Sequence, residues 1–292
     1  MTSHTKERDK KMKSHTLAWV IMFVSIFIIA VSLRIFVGQP CYIPSSSMEN
    51  TLLTGDYVWL NRLTYGARLP ERFADIPLLN VFTWIGPLRK ADKKNDWGYR
   101  RIRGQKKPAL HDIAVYHPVL RPEVLVVKRI AGLPGDTVAL VGGRLQVNGR
   151  LVKEPEGIRC TRKSDPVEFP KDTEWSSHDY GPIVVPAKGL CLELNPGNYA
   201  WIQSMALEEG NYISHTDSSY LCNGDTVSCY TFRENYYFML GDNRRNSLDS
   251  RYTGFIPERC LEGTIGLVLF STDSSSPLGI AFRTKRLLRH VK

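Results

Sequence analysis

The sequence predicts a mainly β protein that carries one N-terminal membrane helix. Three observations support this fold class: an uncharged apolar run near the N-terminus, short apolar strings separated by turn residues after it, and prolines too dense for long helices. A chain of 292 residues that is 42% hydrophobic can bury one or two cores. We therefore expect a transmembrane helix followed by a β-rich core with an inserted second β lobe.

The apolar run covers residues 16–33 without a charge and continues past Arg34 to Val37. At 1.5 Å per residue this run is just long enough to span hydrocarbon, and Arg34 and Trp19 near its two ends suit the membrane interfaces. A buried core helix would be apolar on one face only. A cleavable signal peptide would have a shorter run followed by an A-x-A-like site. We expect an uncleaved anchor at residues 17–37.

Short-range charge predicts the orientation of this anchor. Five lysines and arginines lie within residues 6–13, whereas residues 38–61 contain none. Basic residues stay on the cytoplasmic side, so residues 1–16 are expected in the cytoplasm and the rest of the chain outside it. The expected location is the plasma (inner) membrane, with a single pass and the folded part on the periplasmic side.

The formal charge of +10 at first suggests a nucleic-acid partner. No zinc-finger spacing, RNP-like string or basic heptad region accompanies the charge, so we expect no nucleic acid. The basic residues cluster at 6–13, 89–107 and 283–292. Such clusters in a membrane protein suit anionic lipid head groups as well as phosphate, and the lipid bilayer is an expected partner.

Short strings rich in Val, Ile and Tyr, bounded by Pro, Gly, Asn and Asp, predict strands after the anchor. These strings lie at residues 57–60, 113–116, 124–130, 137–141, 145–147, 236–240 and 265–270. Six prolines within 150–235 predict a second, smaller β lobe. The expected domains are a core at 38–149 and 236–270 with an insertion at 62–110, the lobe at 150–235, and a basic tail at 271–292.

Six cysteines, at positions 41, 160, 191, 222, 229 and 260, lie on the expected exported side, where disulfides persist. Six cysteines allow fifteen pairings. Because Cys222 and Cys229 flank the turn signal Asn223-Gly224-Asp225, we expect them to clip a hairpin. Metal binding is disfavoured, since no C-x-x-C or nearby H-x-x-x-H accompanies the cysteines.

Three strings differ from ordinary strand-and-turn sequence: PSSSM at 44–48, VKRIAGLPGD at 127–136 and GDNRRNSLDSR at 241–251. Each also has an ordinary interpretation as a solvated loop or a turn. Lys128 favours a catalytic interpretation over a loop or turn. It lies at the end of an apolar strand, where loss of solvent lowers the pKa of an ammonium group. A neutral lysine can serve as the base that a nucleophilic serine needs. The nearest histidines, His111 and His117, lie in no catalytic-looking string.

In this order and after a single anchor, the three strings resemble the conserved boxes of bacterial type I signal peptidases, over most of residues 17–270. The resemblance implies a β-rich core with an inserted β lobe and a serine endopeptidase that cleaves signal peptides from exported preproteins. By motif position, Ser47 corresponds to the acylating nucleophile and Lys128 to the general base. Ser45, with the backbone N–H of Ser47, corresponds to the oxyanion hole, and Ser247 to the hydroxyl that orients the lysine.

The resemblance also implies supporting residues. Arg129 pairs with Asp242, and Arg251 pairs with Asp249, as braces of the catalytic loops. An extended substrate is expected between strands, with small side chains entering two shallow pockets. The walls expected for these pockets are Ile43, Val126 and Val127. Preprotein signal peptides and the secretion machinery are the expected partners, and neither a cofactor nor a metal is expected.

The chain departs from the family pattern at three positions. Asn50 replaces the usual Pro two residues after the motif's Met, and His111 replaces the usual Gly of a Gly-Asp pair. Ser46 replaces a Gly, so motif position alone selects Ser47 among three adjacent serines. One alternative is a membrane-anchored binding module of the same fold, which predicts loss of Ser47 or Lys128. A self-cleaving repressor-like protease is another, but the first 40 residues leave no space for a DNA-binding domain.

Overall fold

The computed structural model describes residues 2–77, 79–159, 165–171, 173–216, 219–273 and 281–291. Four α-helices occur within them: α1 Thr2–Phe36, α2 Gly86–Lys94, α3 Tyr199–Glu208 and α4 Ser250–Thr253. The strands of the first half are β1 Gly38–Tyr42, β2 Asp56–Asn61, β3 Ile113–Tyr116, β4 Val126–Gly132, β5 Thr137–Val141, β6 Arg144–Val147 and β7 Arg150–Leu151. Those of the second half are β8 Tyr180–Val184, β9 Cys191–Glu193, β10 Ile213–His215, β11 Tyr220–Cys222, β12 Asp225–Val227, β13 Cys229–Thr231, β14 Tyr236–Leu240, β15 Ile256–Pro257, β16 Leu261–Asp273, β17 Ala281–Phe282 and β18 Arg289–His290. The predicted mainly β fold with an N-terminal helix is confirmed.

The N-terminal helix contains a segment, His15–Phe36, that is long and apolar enough to cross a membrane. Its mean hydropathy is 2.6, and none of its most apolar window is buried against the rest of the protein. A helix that is apolar on all sides and exposed finds its favourable surroundings in lipid rather than in water.

Internal contacts divide the chain into two units. One unit comprises Met1–Gln39 with Asn61–Gln105, and the other comprises Pro40–Leu60 with Lys106–Lys292. The first unit therefore joins the membrane helix to most of the predicted insertion. The finer division into core, lobe and tail stays a prediction.

The main sheet of the described residues has the strand order β1-β2-β16-β3-β4-β14-β15, with β17 and β18 also pairing with β16. The short C-terminal strands come from residues that we expected to form a tail. Arg286 of this segment is buried and holds both carboxylate oxygens of Asp56. Within the described residues 281–291, the chain thus pairs with β16 and contacts Asp56.

Three smaller sheets have the strand orders β7-β6-β5-β8, β13-β9 and β10-β11-β12. The last two lie within residues 150–235, whereas β5 and β6 of the first precede the predicted lobe. One apolar cluster contains Trp201 and Ile202 of α3 together with Tyr180, Phe232 and, from β14 of the main sheet, Phe238. No helix is predicted at α3 from the sequence, because six prolines within residues 150–235 disfavour helices there. The last of these six prolines is Pro196, so no proline interrupts the helix.

The expected clip between Cys222 and Cys229 is wrong. Cys191 and Cys229 form the disulfide, with a Cα–Cα distance of 5.7 Å. The hairpin turns where predicted, but β12 ends before Cys229, which lies on β13 opposite β9, the strand that starts with Cys191. Cys160 lies outside the described residues.

Candidate active site

Lys128 lies on β4, which runs between β3 and β14 near the middle of the main sheet. Its side chain is 4% exposed, and Ala114 is its partner across the strand pair. The Nζ atom donates hydrogen bonds to Ser47 Oγ at 2.8 Å and to the carbonyl oxygen of Val127 at 3.2 Å. The fold therefore joins two residues that are 81 positions apart in sequence.

Burial is the main cause of an altered pKa at Lys128. Loss of solvent around the ammonium group lowers the pKa from 10.5 to about 8, although the carboxylates of Asp249 and Asp242 partly oppose the shift. A substantial fraction of the amine is therefore neutral in mildly alkaline solution. A neutral amine within hydrogen-bond distance of a hydroxyl can accept its proton.

The three serines that follow β1 have different contacts. Ser47 Oγ accepts the hydrogen bond from Lys128, and Ser45 Oγ lies 3.5 Å from Ser47 Oγ. Ser46 Oγ instead accepts a hydrogen bond of 2.9 Å from Asn246 Nδ2. The next residue, Met48, is buried in the core and fixes the loop to the protein body. The hydrogen bonds thus distinguish Ser47 from its neighbours. In the sequence, motif position was the only ground for choosing Ser47 among the three serines.

Two asparagines of the 241–251 string, which the sequence reasoning had not singled out, hold the serine loop. The backbone N–H of Asn243 donates to the carbonyl of Ser47 at 3.0 Å, and its Nδ2 donates to the carbonyl of Ser46 at 3.2 Å. Asn246 adds the contact to the Ser46 hydroxyl. Their position within the third string was the available signal, but such a string is as typical of a solvated loop.

Ser247 was expected to orient the lysine. Among the described residues, no hydrogen bond joins its hydroxyl to Lys128 Nζ. Its Oγ instead packs against Gly241, where an added Cβ would lie 2.1 Å from Ser247 Oγ and 2.6 Å from the carbonyl oxygen of Ser47. Gly241 therefore permits the close approach of these segments, and the orienting role of Ser247 stays a prediction.

Two buried ion pairs lie beside the site, at the positions expected for braces. Arg129 binds both carboxylate oxygens of Asp242, at 2.8 and 2.6 Å, and also donates to the carbonyl of His111. Arg251 binds both oxygens of Asp249 at 2.9 Å.

The Asp249 carboxylate also accepts the backbone N–H of Gly241 at 3.0 Å. Burial by itself would raise the pKa of Asp249, but the hydrogen bonds and charge of Arg251 outweigh it and hold that pKa below its ordinary value. A permanent carboxylate therefore fixes the backbone of the loop that holds Ser47.

The residues expected as pocket walls lie in two segments: Ile43 directly follows β1, and Val126 and Val127 begin β4. Ile43 precedes the serine loop and packs in one apolar cluster with Met48, Leu52 and the half-buried Val127. Val126 is also half-buried and, by alternation along β4, faces the side opposite to Val127. Their role in binding a substrate stays a prediction.

Two departures from the family pattern coincide with left-handed backbone. Asn50 has φ +84° and His111 has φ +70°. Proline is fixed near −65°, so the usual Pro cannot adopt this conformation at position 50, whereas Asn is one of the residues that tolerates it. At position 111 the usual Gly would be without strain. His111 adopts the conformation while its carbonyl holds Arg129.

This chain is similar to known proteins over most of its length. The model of the family "Signal peptidase, peptidase S26" matches residues 16–270. A signal peptidase I of Buchnera aphidicola subsp. Baizongia pistaciae is 27% identical over 275 residues, which are 89% of this chain and 79% of the relative. A signal peptidase I of Pseudomonas aeruginosa is 28% identical over 252 residues, 82% and 68% of the two chains. A crystal structure of a signal peptidase I from Enterococcus faecalis V583 is 23% identical, covers 55% of this chain and 97% of its own, and has a TM-score of 0.27.

These findings first define the class of protein, which is a serine endopeptidase. More specifically, the chain belongs to the signal peptidase family, peptidase S26, since the family model matches well over half of its length. The signal peptidase function predicted from the sequence is confirmed at this level, and the alternative of a binding module is not favoured.

Proposed function

We propose that this chain cleaves signal peptides from exported preproteins after small residues at A-x-A-like sites, through an acyl-enzyme on Ser47 with Lys128 as the general base. The observation that carries the proposal is the 2.8 Å hydrogen bond from a buried Lys128 Nζ to Ser47 Oγ. Because burial lowers the pKa of this lysine to about 8, the pair can work without a histidine.

In the acylation step Ser47 Oγ forms a bond with the scissile carbonyl carbon while Lys128 accepts the hydroxyl proton. The resulting oxyanion accepts hydrogen bonds from the backbone N–H of Ser47 and from the Ser45 hydroxyl. The carbon–nitrogen bond then breaks as Lys128 donates its proton to the leaving amine. The mature protein leaves with a new N-terminus, and the signal peptide stays esterified to Ser47.

In the deacylation step a water molecule attacks the ester carbon and gives its proton to Lys128. The ester bond breaks, Lys128 passes its proton to Ser47 Oγ, and the signal peptide leaves with a C-terminal carboxyl group that releases its own proton to solvent. The neutral lysine and the serine hydroxyl are thereby restored. Every proton transfer uses one amine, so the reaction depends on a single titrating base.

The substrate is proposed to bind as an extended strand. Main-chain hydrogen bonds to a strand edge would supply affinity, and alternate side chains would enter the pockets. Ile43, Val126 and Val127 are the proposed walls, and the partial burial of the two valines supports shallow pockets for small side chains. Ala at the two pocket positions would fit such walls, whereas large side chains would not.

The proposed arrangement in the cell has the N-terminus in the cytoplasm and the serine endopeptidase on the extracytoplasmic side of the inner membrane. The basic residues before the helix and their absence after it support this orientation. A signal peptide still held in the bilayer would then reach a site tethered to the same membrane. The secretion machinery that delivers such preproteins is the proposed partner.

Cleavage by the purified full chain in detergent tests this function. A preprotein with an A-x-A site should be cut directly after that site, as mapped by mass spectrometry. The matched control preprotein carries Leu in place of both Ala residues and should remain intact. Activity should persist in EDTA, because the proposed chemistry uses no metal. Failure to cut the first preprotein, or loss of activity in EDTA that zinc restores, would contradict the proposal.

A further inference from the structure

Residues 81–94 form a surface that the peptidase site does not use. Five large apolar side chains of this segment are 44–82% exposed: Val81, Phe82, Trp84, Ile85 and Leu88. We call these five residues the apolar patch. Trp84 is the most exposed of them, at 82%. Scattered apolar residues are normal on a surface, but a run of neighbours of this size marks a contact with lipid or with another protein.

The patch lies on two short helical elements. Residues Leu79–Trp84 form a 3-10 helix, and α2 starts two residues after Trp84. Phe73 packs edge-on against Trp97, with ring centroids 4.8 Å apart, but both rings are themselves exposed, at 50% and 38%. No residue of Leu79–Trp84 is buried, and the buried residue of α2 is Asp92, so the described part of this segment covers none of the patch.

Basic residues follow the patch directly. Arg89, Lys90, Lys93 and Lys94 are all exposed on α2. At 3.6 residues per turn, positions 89 and 93 and positions 90 and 94 are neighbours, so the four charges share one face of the helix. A helical segment that combines an apolar surface containing Trp with a row of Lys and Arg is typical of elements that lie in a membrane interface.

Residues 62–105, which include the apolar patch and α2, start at the end of the membrane helix. The backbone N–H of Arg62 donates to the carbonyl of Val37 at 3.0 Å, one residue after α1 ends. The segment returns to the same place, since Gln105 N–H donates to the carbonyl of Leu63 at 3.0 Å. The chain between them belongs to the same unit as the membrane helix. Both ends of residues 62–105 are thus held close to Val37, where the chain leaves the apolar span.

From these observations we infer that residues 81–94 are a second membrane contact, in which the apolar patch enters the interface of the adjacent leaflet and the basic face of α2 binds anionic lipid head groups. The Trp84 ring supplies the anchor at the level of the head groups. Arg89, Lys90, Lys93 and Lys94 supply charge complementary to lipid phosphate. The inference concerns the leaflet next to Val37 and does not depend on the direction of the span or on peptidase activity.

Quenching of tryptophan fluorescence by brominated lipid tests this contact. The full chain is reconstituted in vesicles of phosphatidylcholine and phosphatidylglycerol whose acyl chains carry bromine close to the head group. The emission of Trp84 is obtained as the difference between the wild type and Trp84→Phe. We expect this difference to lose most of its intensity relative to vesicles without bromine. Trp175→Phe is the matched control, because Trp175 lies against Tyr180 at 5.0 Å and its emission should be unaffected.

A charge variant tests the lipid preference. Replacing all four basic residues of α2 with Gln should leave the fold intact, because all four side chains are exposed. In the wild type, quenching of Trp84 should be stronger with phosphatidylglycerol than in pure phosphatidylcholine, and in the variant this difference should disappear. Equal Trp84 emission with and without bromine would overturn the inference and would favour a protein partner for the patch. Equal quenching in both lipids by the wild type would overturn the role of the basic face.

Discussion

The three adjacent serines, Ser45 to Ser47, have different contacts, and among them Ser47 is hydrogen-bonded to the buried Lys128. Ser47→Ala removes the hydroxyl that accepts from Lys128, so we expect cleavage of an A-x-A preprotein to fall by at least roughly a thousandfold. Ser46→Ala is the matched control and should retain most activity, because it loses only the contact with Asn246. Turnover of each purified variant measures this difference. An inactive Ser46→Ala variant beside an active Ser47→Ala variant would reverse the assignment.

The pKa of Lys128 predicts how activity depends on pH. With a pKa of about 8, roughly one tenth of the amine is neutral at pH 7 and roughly nine tenths at pH 9. Turnover should therefore rise about tenfold between these values. A profile that is flat across this range, measured with a substrate that does not titrate, would exclude Lys128 as the base.

The same pKa shift links this lysine to stability. The folded protein holds Lys128 at a pKa of about 8, below the ordinary 10.5, so the unfolded chain binds the proton more strongly. Below pH 8 the difference in proton binding lowers the free energy of unfolding by about 3 kcal/mol, and this loss disappears as the pH rises towards 10.5. Lys128→Met should thus be inactive yet more stable at pH 7, with an advantage that declines above pH 8. Denaturant unfolding of the full chain in detergent at pH 7 and pH 10 measures this change.

At the scale of the element, the site depends on how closely two loops approach. Gly241 has space for no side chain, because a Cβ there would meet Ser247 Oγ at 2.1 Å and the Ser47 carbonyl at 2.6 Å. Gly241→Ala must therefore displace the loop that positions Ser47. We expect a loss of turnover of roughly a hundredfold or more, since small misplacements of catalytic groups are costly.

The matched control for this change is Gly266→Ala on β16, where an added Cβ meets no atom within 4 Å. That variant should keep normal turnover and normal unfolding in denaturant. A Gly241→Ala enzyme that cleaves at the wild-type rate would show that the close approach of the loops is not needed for catalysis.

At the scale of the whole molecule, the charge distribution around α1 predicts topology. Residues 6–13 carry five basic residues and residues 38–61 carry none, so the N-terminus should stay inside the cell. In intact spheroplasts, protease added outside should degrade the peptidase part and spare an N-terminal epitope tag. Permeabilised spheroplasts are the control, in which both should be accessible. Protection of the peptidase part together with loss of the tag would mean the opposite orientation.

Local patterns in the sequence predicted seven of the eighteen strands in the described residues, and the membrane helix. The apolar strings at 113–116 and 137–141 became β3 and β5 with the predicted bounds, because alternation and turn residues act over a few positions. The family resemblance supplied Ser47 and Lys128 as a pair. Composition alone could not have predicted a contact between two residues 81 positions apart. A lysine on an apolar strand is common in proteins, and only its neighbours in the fold show whether it can act as a base.

Tertiary structure alone decided the contacts between distant segments. It selected Cys191 as the partner of Cys229, because strand pairing rather than the nearest turn brings two cysteines together. It separated Ser46 from Ser47 through Asn246, and it lowered the pKa of Lys128 by enclosing the lysine within the sheet. Local sequence encodes backbone preference and hydrophobic period, whereas burial, pairing and pKa depend on which segments the chain packs together.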